Sequence, residues 1–268
     1  MTSEGQGGAP VFDGKVIVIT GAGSGVGRAS ALAFAACGAH VVCADVNNAW
    51  AEETARQVLG AGGTALGQLC DVTKEDDVVE AIRVAVDTFG RLDIMFNNAG
   101  VATPRPGMGL VDHTFEDWER LVAINLRGVF FGMKHSVAQF RRQGGGGVIV
   151  NTGSVAGIVG WGGTVYGATK GGVNQMTKAV AIECAAEDIR VNAICPAGMP
   201  FTNFMAPAAA EGSTGVDRAV GDAVAQMHPL GRPITAEDCA AAAMFLASDE
   251  ARNITGVLLP IDGGYVAR

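Results

Sequence analysis

The stretch Lys15-Val-Ile-Val-Ile-Thr20-Gly-Ala-Gly-Ser-Gly-Val-Gly27 decides how the rest of the chain is read. A short β-branched run without alternation reads as a strand buried on both faces. The glycines behind it let the backbone turn tightly and come close to a ligand. Residues 25–38 follow as an Ala-rich helix with Leu32 and Phe34 on one side. Such a helix aims free N–H groups and the positive end of its dipole at whatever sits over the turn, and a pyrophosphate fits there. The glycines run G-x-x-x-G-x-G through Gly21, Gly25 and Gly27, not G-x-G-x-x-G, and no Gly-Lys-Ser/Thr follows. Taken alone, the run fits a plain Gly-rich strand–helix turn equally well.

Outward from it, apolar runs alternate with helical patterns. Strands are expected at His40–Asp45, Thr64–Cys70, Leu92–Asn97, Gly147–Thr152, Ile189–Cys195 and Gly256–Ile261. Helices are expected at Ala49–Leu59, Lys74–Phe89 capped by Thr73, a long pattern from Thr114 to about Gln143, residues 164–187, and Thr235–Ser248. Continuous apolar strands separated by helices indicate an α/β, doubly wound parallel sheet with helices on both faces. No internal repeat or interdomain linker interrupts this, so residues 12–268 read as one domain and residues 1–11 as a flexible N-terminal segment. Residues 197–233 carry prolines among small residues with weak pattern, which suits a substrate lid or a loop with short helices of its own.

Composition bounds the partners. The net charge of −8 and pI near 5.0 argue against nucleic acid and anionic membranes, which need clustered Lys and Arg. The first ten residues show no secretory signal, and the longest uncharged stretch, Gly144–Thr169, is too broken by polar residues to span a bilayer. Six cysteines without a C-x-x-C pair read as buried thiols of a reducing cytoplasm. The four histidines have no ligand spacing, so no metal is expected.

Asp45 ends the second strand, 20 residues after Gly25. An acidic residue there reaches the adenosine ribose of a bound dinucleotide. Its carboxylate would accept from the ribose hydroxyls and repel a 2′-phosphate, by ~4 kcal/mol per charge pair at 4 Å and an effective dielectric near 20. Neither Ser24 nor Val46 supplies an opposing cation, so NAD is expected rather than NADP. Farther on, Tyr166 and Lys170 stand four apart in a helical stretch, neighbours across one turn. A nearby ammonium would lower the phenol pKa and make it a proton donor and acceptor near neutral pH. Ser154 follows the fifth strand, at the sheet edge where α/β ligands bind. The plainer readings are an exposed strand-end Asp, a coincidental Y-x-x-x-K and a turn hydroxyl.

Together these pieces resemble the short-chain dehydrogenase/reductase family over about residues 12–266. The matches are Thr20–Gly27, Asp71 in Cys-Asp-Val, Asn97-Asn-Ala-Gly100, Asn125 in Ile-Asn-Leu-Arg, Ser154, Tyr166-x-x-x-Lys170, Arg190–Pro196 and Ile254–Gly264. The resemblance implies a single Rossmann-like domain with a seven-stranded parallel sheet, usually in a homotetramer. It implies Tyr166 as acid/base, Lys170 as the group that lowers its pKa and holds the nicotinamide ribose, and Ser154 as hydrogen-bond partner of the substrate oxygen. Asn125 would anchor a water linking Lys170 to solvent. Gly21, Ser24, Gly25, Val26 and Gly27 would cradle the pyrophosphate, Asp71 and Val72 would flank the adenine, and Asn98 would contact a ribose. An ordinary mid-helix Asn125, and Asn97 and Asn98 bonding neighbouring strands, are the plainer readings.

The chain departs from the family after the sixth strand, where Pro-Gly-x-Ile/Val-x-Thr becomes Pro196-Ala-Gly-Met-Pro-Phe-Thr202. If Ala197 replaces Gly, Met199 meets the carboxamide and Phe201 replaces Thr. With one residue inserted instead, Thr202 keeps its spacing but Pro200, which has no N–H, lands at the carboxamide position. Met199 is preferred, and Met199 and Thr202 are both taken as candidate cofactor contacts. Val155, Ile158, Val159, Trp161, Phe201, Phe204 and Met205 would form a largely apolar pocket for a hydrophobic secondary alcohol or ketone, and Arg105 or Arg218 could meet an anion; packing of the lid or a subunit interface, and simply solvated arginines, are the plainer readings. A 3-oxoacyl-carrier-protein reductase and a non-catalytic nucleotide-binding protein are the rival readings. Asp45 counts against the first and the intact proton-handling residues against the second.

Overall fold

Every residue of the first strand except Thr20 is fully excluded from solvent, and Thr20 is 3% exposed. Val16–Thr20 forms β1, and its side chains divide by parity: Ile17 and Ile19 enter one core, Val16 and Val18 the other. That is what a strand covered on both faces requires. Burying each such aliphatic side chain contributes about 1.5–3 kcal/mol. The computed structural model describes residues 11–105, 107–200 and 218–267. The expected flexible segment (all but Val11), Thr202, Phe201, Phe204, Met205 and much of the expected lid lie outside the described residues, as does the Arg218 side chain.

The sheet continues with β2 (His40–Asp45), β3 (Thr64–Leu69), β4 (Ile94–Asn97), β5 (Gly147–Thr152), β6 (Ile189–Pro196) and β7 (Leu258–Ile261). Its order is β3-β2-β1-β4-β5-β6-β7, all parallel. The helices are α1 (Gly25–Ala36), α2 (Asn48–Gly60), α3 (Glu75–Phe89), α4 (Phe115–Val122), α5 (Gly128–Gln143), α6 (Thr164–Cys184), α7 (Arg218–Met227) and α8 (Ala236–Ala247). Phe34 of α1, Val58 of α2 and Leu246 of α8 join the first core; Ile82 of α3, Phe140 of α5 and Val173 of α6 join the second. This is the expected doubly wound, Rossmann-like fold. Strand order reverses between β1 and β4, which opens a crevice at the carboxyl ends of the strands.

Local signals set most boundaries. Thr114 and Asp117 form a reciprocal capping box on α4, and Thr235 and Asp238 one on α8. The expected Thr73 cap does not form. Thr73 gives its N–H and hydroxyl to Asp71 Oδ1, at 3.0 and 2.7 Å, and α3 starts at Glu75. The long pattern from Thr114 to Gln143 is likewise not one α-helix. A π-turn at Ala123–Arg127 separates α4 from α5, and Asn125 sits in its middle.

Candidate active site

The Gly-rich turn is held open by its neighbours. Gly21 has φ +66°, and a Cβ on Gly27 would lie 2.0 Å from the Gly21 carbonyl oxygen, so both positions need glycine. No side chain caps the first turn of α1, and that turn holds no acidic residue. Sequence reasoning missed the braces of this loop. Arg28 donates to the Gly23 carbonyl and to Thr54 Oγ1, and Thr54 donates to the Ala22 carbonyl at 2.9 Å. Only the tertiary fold, which lays α2 against the turn, reveals them.

Asp45, 8% exposed, sits at the end of β2. Oδ2 accepts from Gly23 N and Oδ1 from Asn47 N, each at 2.9 Å. Two single bonds leave each oxygen further accepting capacity. Asp71 and Val72 follow β3. Burial pushes the Asp71 pKa up, but its two bonds from Thr73 and the Lys74 ammonium hold it below the usual value. Asn98, after β4, is used as a brace. Its N–H donates to Thr20 Oγ1, its Nδ2 to the carbonyls of Thr20 and Gly21, and its Oδ1 accepts from Thr152 Oγ1. Asn97 bonds Asn151 across β4 and β5. The strand-bonding reading of both asparagines therefore describes their side chains.

Asn125 is fully buried and grips Val101 at both ends: Val101 N donates to Oδ1 and Nδ2 donates to the Val101 carbonyl, each at 2.8 Å. The π-turn widens the helix at that residue, a distortion frequent at functional sites. Ser154, 3% exposed, caps the short 3₁₀ turn Val155–Gly157 by accepting from Ala156 N, and donates to the Pro196 carbonyl at 3.3 Å. Tyr166 and Lys170 lie in the first turns of α6, with Nζ 5.8 Å from the phenol ring centroid. Lys170 is 2% exposed and donates to the Thr152 carbonyl at 2.7 Å.

The electrostatics correct one expectation. Burial raises the Tyr166 pKa above its ordinary value, with a hydrogen bond to Ser154 pulling the other way. Burial also depresses Lys170 to about 8. In the protein alone, burial rather than Lys170 sets the direction of the phenol's shift. Cys195, packed below this group, is pushed up to about 12 by burial, which leaves it an inert thiol.

These groups share one cleft of about 1020 Å³. It is lined by Gly21, Ser24, Gly25, Val26, Asp45, Asp71, Val72, Asn98, Ser154, Tyr166, Lys170 and Met199; Gly27 and Asn125 support it from behind. Pro196–Met199 close the far end, and Met199 Sδ accepts from Cys239 at 3.5 Å. The expected apolar pocket is largely corrected. Val155 is fully buried in the core, while Ile158 and Val159 are exposed and outside the cleft. Of the described residues in that expected set, Trp161 lines it, against Tyr265 with ring centroids 5.9 Å apart. The wall comes instead from Val101–Arg105, Met108, Arg120 and Ile124. These loop positions carry no periodic signal in sequence. Among the described residues no cluster of His, Cys, Asp or Glu suits a metal ion, and no helix is long and apolar enough to cross a membrane.

Comparison with known proteins agrees with this architecture. A family model described as Enoyl-(Acyl carrier protein) reductase matches residues 21–266. The chain is 36% identical to the cyclohexanol dehydrogenase of Acinetobacter sp. (strain SE19) over 262 residues, covering 96% of this chain and 97% of that protein. It is 40% identical over 255 residues to the 2,5-dichloro-2,5-cyclohexadiene-1,4-diol dehydrogenase of Sphingobium indicum, covering 94% and 96% of the two chains. A short-chain type dehydrogenase/reductase from Mycobacterium marinum superposes with a TM-score of 0.86 at 31% identity, covering 97% of this chain and 98% of that one. With a strand order that opens a crevice at β1/β4, and Ser154, Tyr166 and Lys170 gathered on its wall, the chain belongs to the short-chain dehydrogenase/reductase family and is an oxidoreductase acting on CH–OH groups.

Proposed function

We propose that this enzyme transfers a hydride between NAD(H) and a hydrophobic, cyclic secondary alcohol or its ketone. The observation that carries the reading is the single cleft that runs from the Asp45 carboxylate to the Ser154–Tyr166–Lys170 cluster. The residues fit a dinucleotide. The turn is too tight for a Cβ at Gly27, α1 begins uncapped, and a carboxylate stands at the end of β2. Gly21, Ser24, Gly25, Val26 and Gly27 would hold the pyrophosphate, Asp45 the adenosine ribose, and Asp71 and Val72 the adenine. Asn98 would support the inner ribose, and Met199, with Thr202, the carboxamide. When bound, the nicotinamide supplies the hydride acceptor or donor and, oxidised, a positive charge.

The chain supplies alignment and the proton. Ser154 hydrogen-bonds the substrate oxygen. In oxidation Tyr166 takes the hydroxyl proton at its phenolic oxygen; in reduction it returns it. Lys170, poised near pH 8 by burial, holds a ribose and passes a proton toward solvent by the Asn125 side of the site. An ammonium restored there by hydrogen bonding would then favour the phenolate. Cyclohexanol and chlorinated cyclohexadienediol dehydrogenases among the relatives support a ring alcohol. Six unpaired cysteines support a cytoplasmic setting, and the family a homotetramer. The segment 197–233 would close over the substrate.

Tyr166→Phe tests the reading. It should keep its thermal stabilisation by NAD and lose turnover of ring alcohols by about 10²–10⁴-fold; unchanged turnover would refute it. Stronger stabilisation by NADP than by NAD would overturn the Asp45 assignment.

A further inference from the structure

The chain carries a net charge of −8, yet the acidic residues lining the cleft, among the described residues, are Asp45 and Asp71, both at the adenosine end. From Val101 to Met199 the lining holds Arg105, Arg120 and Lys170 and no carboxylate. Lys170 is accounted for by its bond to Thr152 and its place beside Tyr166. The two arginines are not.

Arg105 is positioned by its loop. Thr103 Oγ1 donates to the Gly162 carbonyl at 3.4 Å, in the turn that leads into α6 and Tyr166. A Cβ on Gly163 would lie 3.1 Å from that same Thr103 oxygen. The loop therefore lies against the Tyr166 end of the cleft. Two residues of chain span at most about 7 Å, so Arg105 belongs to the same end. Its Nη2 donates to the Asp112 carbonyl at 3.2 Å, which fixes the guanidinium, and its other donors have no carboxylate partner among the described residues. Arg120 stands one turn before Ile124, with which it lines the cleft.

A pyrophosphate has its own donors in the first turn of α1, so the Arg105 charge is left for the other reactant. A guanidinium is a planar fork that matches a carboxylate, and its charge persists at every working pH. In a chain of net negative charge, which repels anions at long range, a local cation decides whether an anionic substrate enters. We propose that Arg105 selects substrates that carry a carboxylate away from the reacting carbinol: a hydroxy acid built on an apolar ring, in preference to the neutral alcohol. This rests on the reading of the cleft as the site of a secondary-alcohol dehydrogenase.

The test compares 4-hydroxycyclohexanecarboxylate with its neutral amide, both with NAD, on one enzyme preparation at low and high salt. The carboxylate should have the lower KM at low salt, and the difference should shrink as salt screens the exposed arginine. Arg105→Gln should raise the KM of the carboxylate by up to about fivefold more than that of the amide, the upper range for an exposed ion pair. Arg105→Lys should restore part of the gap. Because the readout is a ratio of two substrates on one protein, a general loss of fold moves both together. A parallel calorimetric titration uses cyclohexanecarboxylate and cyclohexanecarboxamide, neither of which can react. Salt-sensitive binding of the carboxylate, lost in Arg105→Gln, supports the proposal even if no ring alcohol turns over, an outcome that would count against the function above. Equal KM values, equal binding of acid and amide, or an unchanged ratio in Arg105→Gln overturns it.

Discussion

The two ends of the cleft are made differently. At the adenosine end the walls are strand termini and the first turn of α1. Asp45 grips Gly23 and Asn47, Asn98 grips Thr20, Gly21 and Thr152, and Asp71 grips Thr73. At the substrate end the walls are loops. Arg105 bonds a main-chain carbonyl, Arg120 has no partner among the described residues, and Trp161 leans on Tyr265. The first end is braced because its polar groups, buried or half-buried, pair with one another. The second is exposed, so its residues can vary without leaving a buried group unsatisfied. Polar bracing is dense where strand termini meet α1 and sparse where loops form the wall.

The comparison can be pressed hardest at Lys170. Lys170→Met should cut turnover at least about a hundredfold, the lower range for a lost proton-handling group. It should not lower thermal stability at pH 7, because the folded protein disfavours an ammonium there. Burial places Lys170 near 8 in the fold against 10.5 for an ordinary lysine. Between those values the unfolded chain carries a proton that the folded one lacks, so this group's contribution to stability grows as pH rises from about 8 to 10.5. The buried thiols of Cys43, Cys70, Cys195 and Cys239, each pushed up to about 12, lower stability as pH rises past 9, so the Lys170 effect is read as the difference between the wild-type and Lys170→Met melting curves, which should grow across that window. Above it Tyr166, whose pKa is raised, acts in the opposite sense. A variant that melts markedly lower at pH 7 would contradict this account.

Next in size is Asn125→Ala. It strips both partners from the Val101 main chain and should cost about 1–3 kcal/mol in urea denaturation. A loss below about 0.5 kcal/mol would mean that the π-turn does not hold the Val101 loop. Asp45→Asn tests the adenosine end more gently. One amide hydrogen would face a main-chain donor, and the ratio of kcat/KM with NAD to that with NADP should fall about tenfold or more, since the repelling charge is gone. An unchanged ratio would show that the carboxylate only braces the turn. The smallest effect on stability should come from Trp161→Ala. Half-buried at the loop end, it should shift stability by no more than about 1 kcal/mol while changing KM among ring alcohols of different bulk. A large loss of stability there would erase the distinction between the two ends.

The Gly-rich turn and the Tyr166/Lys170 pair were legible because short-range rules write them. Glycines at fixed offsets, a strand-end carboxylate and an i,i+4 pair need no knowledge of distant residues. The start of α4 at Thr114 was legible for the same reason. Thr73 misled because Asp71, two residues back, draws both its N–H and its hydroxyl into a turn, and the helix starts later, at Glu75. Val155 misled because an apolar residue beside Ser154 looks like a pocket wall and is here part of the core.

The sequence by itself determined the strand–helix alternation, the glycine turn and the spacing that sets Tyr166 beside Lys170, since each follows from local spacing and side-chain chemistry. The tertiary structure alone decided three things: that Asn125 sits in a π-turn clasping Val101, that burial sets the direction of the Tyr166 pKa shift, and that Arg105 rather than Ile158 or Val159 faces the cleft. Each depends on what distant segments place around a residue. Desolvation and loop packing are sums over that surrounding, and a linear pattern does not contain them.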